Sequence, residues 1–404
     1  MRAEAHLPWS IAVVTARPFR PRAVALYSPT WYAPNVRLHL LGFPHTQTTR
    51  AYVTCAYTQK LVKFAKMMVP FDHEVYVYSG EHNEAPCHEH VPIFTDEEQH
   101  EWYGDWRSDV CPDVDWDPAS PGWTAINERG AAEILKRAGP GAVDDLVLSL
   151  AGHSNAPLRE RGLLPEFQIV EWGVGYEGIY FPHRCFESHA WQHYVYGRKG
   201  ITNGCFYDTV IPNFFDPADF QTSGRAAEQS YLLFVGRLVH RKGWQVALDV
   251  AERAGIPIRI AGPGVEAVGD GLWVGPEARI QESDSVTYLG VLDQEERARQ
   301  MAGAVAVLAP TLYLEPFGGV AVEAMMCGTP AITTDFGAFP ETVPDDLRFR
   351  TLQEAVECVD RARGIDRSLP WNYARENFSL EAVGPQYERW FRQLQGLWGK
   401  GWDA

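Results

Sequence analysis

Two carboxylates stand eight residues apart in the segment Glu315-Pro-Phe-Gly-Gly-Val-Ala-Val-Glu323, on either side of a glycine pair. The residues after this pair have an amphipathic helical pattern, so Gly318 and Gly319 place unobstructed N–H groups at a helix start, where a diphosphate binds well. Glu323 lies a little over one turn into the helix and is placed to accept hydrogen bonds from ribose hydroxyls. Glu315 precedes the helix and is placed to hold the hydroxyls of a sugar. The alternative is a capped core helix whose acidic residues are incidental.

A basic turn follows the predicted strand of residues 231–235, with the sequence Gly236-Arg237-Leu-Val-His-Arg-Lys242-Gly243. Glycine at the end of a strand lets a ligand approach the backbone closely. Arg237 and Lys242 are five residues apart around the turn, so their side chains can converge on one anion. A charge-assisted hydrogen bond to such an anion contributes roughly 1.5–3 kcal/mol. The alternative is a solvated basic loop.

Short apolar strands alternate with helical patterns in both halves, which predicts an α/β protein with parallel sheets covered by helices. The strands predicted in the first half are residues 37–43, 73–78, 145–150 and 168–172. Those predicted in the second half are residues 231–235, 256–261, 286–289, 305–309 and 331–334. Helices are predicted before Met68, after the N-cap Asp293 and after Ser379. The last of them places four apolar residues on one face: Tyr387, Trp390, Phe391 and Leu394.

Three stretches interrupt this alternation. Residues 1–35 contain two apolar runs among prolines and form either an added strand pair or a poorly ordered extension. Residues 80–123 are acidic and aromatic without a clear period, and we expect an irregular lid or insertion there. Residues 205–220 are rich in turn-forming residues and mark a linker. We therefore predict an N-terminal domain over residues 1–210, a C-terminal domain over 211–380 and a closing helix over 381–404.

Composition excludes several classes of protein. The formal net charge of −16 disfavours nucleic acid as a partner, because proteins that follow a nucleic-acid backbone normally carry a basic stripe. No apolar run reaches the roughly 20 residues of a transmembrane helix, and no secretory signal is expected at the N-terminus. The seven cysteines are odd in number and scattered, which indicates a reducing compartment, by default the cytoplasm.

The C-terminal half resembles a known family. The segments FVGRLVHRKG, Ala261-Gly262-Pro263-Gly264, VTYLG and EPFGGVAVEAMMCGTPAI occur in the order and approximate spacing of the GT4 retaining glycosyltransferases. The resemblance implies a GT-B fold, in which two Rossmann-like domains face an interdomain cleft and the C-terminal helix packs back on the N-terminal domain. It also implies transfer of a sugar from a nucleoside-diphosphate sugar to an acceptor hydroxyl, with retention at the anomeric carbon and without a required metal ion or cofactor.

The resemblance assigns roles to residues of this sequence. Arg237 and Lys242 would bind the donor diphosphate, and Glu323 would bind the ribose. Glu315, Phe317, Gly318 and Gly319 would surround the transferred sugar. The base would lie near Gly262 and the strand end Leu289-Gly290, and Gly236 and Gly264 would also bind the donor.

The N-terminal half resembles the family much less and would bind the acceptor. The loop after the first strand reads Pro44-His45-Thr46-Gln47-Thr48-Thr49 where the family carries paired glycines, so acceptor contacts from His45 and Thr46 rest on position alone. His153 follows a predicted strand and resembles the cleft histidine that touches the donor sugar; the alternative is a local hydrogen bond. Tyr176 and Glu177 are placed near the acceptor.

Other interpretations stay open or are disfavoured. A nucleotide-sugar epimerase or a phosphorylase would share the fold, and an enzyme that glycosylates DNA bases would add a basic groove, which the net charge disfavours. Residues 173–178 match G-x-G-x-x-G, but Pro182 interrupts the helix that a nicotinamide dinucleotide site requires. A non-catalytic sugar-binding module would not need the diphosphate motifs. Neither residues 87–90 nor the pair His189 and His193 completes a metal-ligand set.

Overall fold

The computed structural model describes residues 36–106, 114–139, 145–203, 207–221 and 229–397, with side chains as far as residue 394. The strand pair or extension expected in residues 1–35 lies outside these ranges, and so do Cys111 and Cys205. Five cysteines within the described ranges are free thiols: Cys55, Cys87, Cys185, Cys327 and Cys358. None of the helices in these ranges combines the length and apolar character that crossing a bilayer requires.

The first sheet consists of seven parallel strands. They are β1 (Arg37–Leu41), β2 (Glu74–Ser79), β3 (Glu89–Pro92), β4 (Asp145–Ser149), β5 (Gln168–Val174), β6 (Arg184–Phe186) and β7 (Thr209–Val210). Their spatial order is β3-β2-β1-β4-β5-β6-β7. Every residue of β4 and β5 is buried, as expected for strands covered on both faces of a parallel sheet.

Five helices accompany this sheet: α1 (Ala56–Met68), α2 (Asp96–Tyr103), α3 (Pro121–Arg137), α4 (Pro157–Glu160) and α5 (His189–Lys199). The expectation of an irregular insertion over residues 80–123 is wrong where β3 and α2 form. Helix α2 begins with a capping box, in which Thr95 accepts from the backbone of Glu98 and the Glu98 side chain accepts from the backbone of Thr95. Its only buried residue is Gln99, so no apolar period announces it.

Nine further strands follow: β8 (Leu232–Val235), β9 (Ile258–Ala261), β10 (Glu266–Gly269), β11 (Leu272–Val274), β12 (Arg279–Gln281), β13 (Val286–Tyr288), β14 (Ala306–Ala309), β15 (Ala331–Thr334) and β16 (Arg348–Phe349). Six of them form a second parallel sheet in the order β13-β9-β8-β14-β15-β16. The other three, β10 to β12, form a small antiparallel sheet that the sequence analysis did not predict.

The second sheet is covered by α6 (Trp244–Ala254), α7 (Gln294–Gly303), α8 (Gly319–Met326), α9 (Phe339–Thr342), α10 (Leu352–Ala362) and α11 (Ser368–Phe378). Asp293 caps α7 as predicted, because its side chain accepts from the backbone N–H of Glu296. We call the second sheet with these six helices the C-terminal lobe. The first sheet with α1 to α5 is the N-terminal lobe. The two-sheet α/β architecture expected from the sequence is confirmed.

The last helix, α12 (Leu380–Leu397), returns to the N-terminal lobe. Its residues Tyr387 and Phe391 are buried against Phe64 of α1, with ring centroids 5.3 and 6.2 Å away. The indole N–H of Trp390 donates to the backbone carbonyl of Tyr207 at 3.1 Å. The predicted packing of the C-terminal helix on the first lobe is therefore confirmed.

The order of strands reverses once in each sheet, between β1 and β4 and between β8 and β14. Ligands of open parallel sheets bind beyond the carboxyl ends of the strands at such a reversal. The basic turn of residues 236–243 follows β8, and the loop of residues 310–318 follows β14. The fold thus places the two strongest motifs of the sequence side by side. By contrast, the glycines of residues 173–178 lead from β5 into β6 without a helix, which counts against a dinucleotide site.

Candidate functional site

Gly318 forms the corner at which α8 begins. Its φ of +82° lies in the left-handed region, and a Cβ on it would come within 2.3 Å of Cε1 of Phe339, so the position requires glycine. Gly319 is the first residue of the helix, and a Cβ there would lie 3.4 Å from the ring of Phe215, an ordinary contact. The shape of the helix start therefore depends on Gly318, and Gly319 only completes it.

Lys242, Glu315 and Tyr313 form one hydrogen-bonded cluster beside this corner. Lys242 Nζ donates to Glu315 Oε2 at 2.8 Å and to Tyr313 Oη at 3.1 Å. The Tyr313 hydroxyl donates to Glu315 Oε1 at 3.0 Å. The side chains of Lys242 and Glu315 are 21% and 12% exposed, so both remain accessible to a ligand. The structure brings together the two charged residues that the sequence assigned to the diphosphate and to the sugar.

Tyr313 had no role in the sequence analysis, because it stands two residues outside the Glu315 motif and carries no local signature. Burial, followed by the nearby charge of Glu315, raises the pKa of Tyr313. The hydroxyl therefore stays protonated at neutral pH and remains a hydrogen-bond donor. Arg241 and Lys242 both lie over its ring, with the cationic centres 5.1 and 5.0 Å from the centroid. Tyr313 thus packs against the basic turn through its ring and its hydroxyl.

Arg237 lies where the two lobes face each other. Burial raises the pKa of Tyr313 and also that of Tyr57, which is on α1 in the N-terminal lobe. The positive charge of Arg237 opposes both increases, so its electrostatic field reaches a tyrosine of each lobe. Arg237 is thus at the boundary of the lobes, on the same side of the C-terminal sheet as Lys242.

The glycines predicted to bind the donor's nucleoside end or another part of the donor lie at the ends of three neighbouring strands. Gly236 donates its N–H to Ala261 at 3.0 Å, and Gly262 donates to the carbonyl of Gly290 at 2.8 Å. Gly262 has φ +134°, and a Cβ there would lie 2.0 Å from the carbonyl oxygen of Gly236. Gly264 is exposed beyond this turn, with Leu238 next to it. Leu289 and Gly290 are half-buried at the end of β13.

Glu323 lies on α8 and is paired across to α7. Arg297 Nε is 3.1 Å from Glu323 Oε2, and the two side chains are 18% and 19% exposed. Arg297 also donates to the side chain of Gln294 at 2.5 Å. The carboxylate is therefore held in a fixed orientation with an accessible face. The sequence analysis missed Arg297, because an arginine on the helix after an N-cap has nothing to distinguish it from a surface charge.

Phe317 is placed differently from the other residues of its motif. Its side chain is 3% exposed and packs between Phe215 and Phe378, with ring centroids 6.2 and 5.7 Å away. Only its backbone is left to face a ligand. Its predicted contact with the transferred sugar stays a prediction for the main chain alone.

The residues predicted near the acceptor in the loop after β1 are buried. His45 is 3% exposed, with Nε2 3.5 Å from the thiol of Cys55, and burial lowers the pKa of His45 to about 4. It is therefore neutral at pH 7. Thr46 is 1% exposed and shares a hydrogen bond of 2.6 Å with the hydroxyl of Thr58. Their role toward an acceptor stays a prediction.

The other predicted residues of the N-terminal lobe follow β4 and β5. His153 is exposed, and its backbone N–H donates to Gly178 at 2.8 Å. Tyr176 is half-buried and its hydroxyl lies 3.4 Å from a carboxylate oxygen of Glu171. Glu177 is exposed and pairs with side chains of α5. These three residues lie at the same edge of the sheet, and their functional roles stay predictions.

Helix α1 turns a charged face toward the C-terminal lobe, a feature that the sequence analysis did not single out. Lys60 is 5% exposed, forms a buried ion pair with Glu187 and donates to the carbonyl of Gly173 at 3.1 Å. One turn further, Lys63 Nζ lies 4.5 Å from the centroid of the Phe215 ring. Lys60 is thus held within the N-terminal lobe, and Lys63 contacts a ring that packs on the core of the C-terminal lobe.

Hydrogen bonds join the lobes at the start of α5. Ser188 Oγ donates to the carbonyl of Pro316 at 2.6 Å. The carboxylate of Glu341, on α9 of the C-terminal lobe, accepts from the backbone N–H groups of His189 and Ala190 at 2.8 Å each. A carboxylate at a helix N-terminus satisfies unpaired donors and the helix dipole together. These contacts fix the loop around Pro316 against the N-terminal lobe.

Groups of three or more side chains that could hold a metal ion were not found within the described ranges. The two candidate groupings of the sequence serve local contacts instead. Glu89 is paired with Arg137, and His90 Nε2 lies 2.9 Å from the carbonyl of Gly80. The rings of His189 and His193 lie 6.2 Å apart without a third ligand in that part of the chain.

Comparison with known proteins supports the identity of this site. Residues 215–351 match the family model described as glycosyl transferases group 1. This range contains the basic turn, the glycine turns and the Glu315 to Glu323 segment. The segment of residues 215–351 is thus similar to the group 1 glycosyl transferases. The motifs within this segment lie at the carboxyl edge of the second sheet.

Curated relatives match over part of the chain. Glycogen synthase of Mycobacterium tuberculosis (strain ATCC 25618 / H37Rv) is 33% identical over 161 residues, which is 38% of this chain and 36% of the relative. D-inositol 3-phosphate glycosyltransferase of Mycobacterium marinum is 34% identical over 188 residues, 44% of this chain and 39% of the relative. The chain thus spans less than half the length of the curated relatives it matches.

Solved structures extend the likeness to the whole fold. AviGT4, a glycosyltransferase involved in avilamycin A biosynthesis, has a TM-score of 0.59 at 18% identity and covers 89% of this chain and 98% of its own. Anabaena Alr3699/HepE, solved with UDP and glucose, has a TM-score of 0.57 at 15% identity and covers 89% of this chain and 100% of its own. The protein therefore has the GT-B fold.

Proposed function

We propose that this protein is a GT4-type retaining glycosyltransferase that moves a sugar from a nucleoside-diphosphate sugar to an acceptor hydroxyl. The observation that carries the proposal is the contact of Lys242 with Glu315 beside the Gly318 corner. It joins a cation suited to a diphosphate, a carboxylate suited to sugar hydroxyls and a helix start that binds anions. A glycosyl donor is the kind of ligand that presents both groups at once.

The same contacts support a mechanism for the transfer. Ionisation of the bond between the anomeric carbon and the phosphate oxygen leaves an oxocarbenium-like sugar and a diphosphate. Arg237, Lys242 and the N–H groups at the start of α8 stabilise the negative charge on that diphosphate. The departing phosphate oxygen then takes the proton of the acceptor hydroxyl. The acceptor oxygen attacks the anomeric carbon on the face from which the diphosphate departed, so the configuration is retained. In this proposal the protein side chains supply the positive charge, and no step requires a metal ion.

Glu315 and Glu323 serve as ligand holders in this proposal. Glu315 is already oriented by Lys242 and Tyr313, and Glu323 by Arg297. We assign residues 1–210 to acceptor binding, 211–380 to donor binding and 381–404 to the closing helix. The free thiols of the described residues are consistent with the cytoplasm, which we propose as the location.

A donor panel tests the proposed function. The purified protein is incubated with UDP-, GDP-, ADP- and dTDP-sugars, and both the rise in melting temperature and the slow release of nucleoside diphosphate are measured. We expect one nucleotide class to raise the melting temperature and to be hydrolysed slowly, because bound ligand stabilises the folded state. If none of the four classes does either, the proposal is wrong. Conversion of the donor to an isomeric nucleotide sugar without release of diphosphate would instead identify an epimerase.

Glu323→Gln separates ribose binding from folding. Glutamine keeps the shape and one acceptor oxygen but loses the charge, so we expect the donor KM to rise about tenfold while kcat changes less than about threefold. The measurement is initial rate against concentration of the donor found in the panel. Glu295→Gln is the matched control, because Glu295 is an exposed residue in the first turn of α7. An unchanged KM would remove the ribose role of Glu323.

A further inference from the structure

We propose that Lys63 of α1 is the cation that the N-terminal lobe contributes to the donor diphosphate, at the phosphate next to the ribose. The inference rests on the proposed function, since it presupposes a nucleoside-diphosphate donor. It adds to the donor site a residue of the N-terminal lobe, whereas the family-like motifs lie in the C-terminal half. The residue would bind the ligand from the N-terminal lobe, whereas Arg237 and Lys242 belong to the C-terminal lobe.

The position of Lys63 is defined by Phe215. Its Nζ lies 4.5 Å from the centroid of that ring, a cation–π contact between the lobes. The Cζ edge of the same ring is close to Gly319, where a Cβ would meet Phe215 Cζ at 3.4 Å. The ammonium of Lys63 and the start of α8 thus approach the same aromatic ring. A phosphate bound by the N–H groups of that helix start lies within reach of a long, flexible lysine side chain.

Lys63 differs from its neighbours on α1 in its partners. Lys60 forms an ion pair with Glu187, and Lys66 forms one with Asp216. Across the described residues, no carboxylate oxygen lies within the 4.0 Å of an ion pair from Lys63 Nζ, and no hydrogen-bond acceptor contacts it. Partial burial of the Lys63 ammonium without a contacting anion costs desolvation free energy. An anionic ligand that contacts the ammonium would offset that cost.

The charges around Lys63 indicate which part of the donor it meets. Glu323 on α8 and Asp219 in the turn before β8 face it with negative charge, and Lys60 on α1 and Arg297 on α7 face it with positive charge. Glu323 is the proposed ribose ligand, whereas Lys242 is beside Glu315 at the sugar end. The proposal therefore assigns Lys63 to the ribose end of the diphosphate.

The same surroundings make the charge of Lys63 sensitive to pH. Burial lowers the pKa of Lys63 to about 8, and the negative charge of Glu323 opposes this decrease. A bound phosphate favours the protonated form and raises the pKa again, so binding takes up a proton. Affinity is therefore full below pH 8 and falls as the pH rises through the pKa of the free protein.

Calorimetric titration of the intact protein with UDP, GDP, ADP and dTDP, and with the matching nucleosides, tests this inference. Lys63→Met keeps the aliphatic packing over Phe215, and Lys63→Arg keeps the charge. At pH 7 we expect Lys63→Met to lower the affinity for the tightest-binding diphosphate about tenfold or more and to leave nucleoside affinity unchanged. The diphosphate affinity of Lys63→Arg should stay within about threefold of wild type. Lys136→Met, an exposed lysine on α3 paired only with Glu133, is the control and should bind as wild type does.

A second measurement follows the affinity from pH 7 to pH 9.5. Wild type should lose diphosphate affinity above about pH 8, and Lys63→Arg should not, because arginine stays charged over this range. If wild type binds a diphosphate and Lys63→Met binds it equally well, the inference is wrong and the proposed function stands. If wild type binds none of the four diphosphates, both are wrong. Equal loss of diphosphate and nucleoside affinity in Lys63→Met would assign Lys63 a packing role and overturn the inference.

Discussion

Lys242→Ala should lower turnover about 100- to 1,000-fold while the protein remains folded. A preorganised donor aimed at charge that develops in the transition state is worth roughly 2.7–4 kcal/mol, and this ammonium is the one in direct contact with Glu315. The loss should fall mainly on kcat, because negative charge on the leaving diphosphate is greatest in the transition state. The measurement is kcat and donor KM with the donor identified in the panel.

The stability of Lys242→Ala should decrease by only about 1 kcal/mol. Glu315 loses its cation but keeps the hydroxyl of Tyr313 at 3.0 Å, and its side chain is 12% exposed, so water can reach the carboxylate. Arg241→Ala is the matched control, because it removes a positive charge from the same turn at an exposed position over the same Tyr313 ring. That variant should keep turnover within about threefold of wild type. A Lys242→Ala enzyme that is strongly destabilised but keeps normal residual activity would show that Lys242 is structural.

The part of the site formed by the C-terminal lobe could be predicted from the sequence because its signals are local. A strand, a glycine turn and a helix follow one another within residues 231–254 and again within 305–326, and the structure has both units. Parallel strands end at one edge of a sheet, so two such units next to each other bring Lys242 and Glu315 together without further information. Helix α12 was predicted for a similar reason, since four apolar residues at helical spacing state which face is buried.

What the sequence analysis missed depends on contacts between distant segments. Lys63 and Phe215 are far apart in the chain and meet only because the lobes face each other. Tyr313 and Arg297 have the residue types of ordinary surface positions, and only their contacts with Glu315 and Glu323 distinguish them. Strands β10 to β12 are three or four residues long and mostly exposed, too short for a period. Helix α2 is the exception, because its capping box was a local signal that apolar patterning alone overlooks.

The glycine pair at the start of α8 allows a direct comparison of two adjacent positions. Gly318→Ala should lower the free energy of unfolding by about 2–4 kcal/mol, since an alanine at φ +82° costs roughly 1–2 kcal/mol and its Cβ would overlap the ring of Phe339 at 2.3 Å. Relief requires a shift of the ring or of the corner itself. Because the corner aims the N–H groups of α8, donor affinity should fall together with stability.

Gly319→Ala is the control, with the same chemical change one residue along the chain. Its added Cβ meets Phe215 at 3.4 Å, the position is already the first of a helix, and alanine favours the helical state. We expect the free energy of unfolding, measured by urea denaturation, to stay within about 0.5 kcal/mol of wild type or to be slightly higher. Donor affinity should be nearly normal. Equal effects of the two variants on stability would mean that the left-handed corner does not shape the helix start. If the two variants instead lower donor affinity equally while only Gly318→Ala is destabilised, the ligand contacts Cα of both glycines. In that case each added methyl group would clash with the ligand directly, whatever the backbone strain at its position.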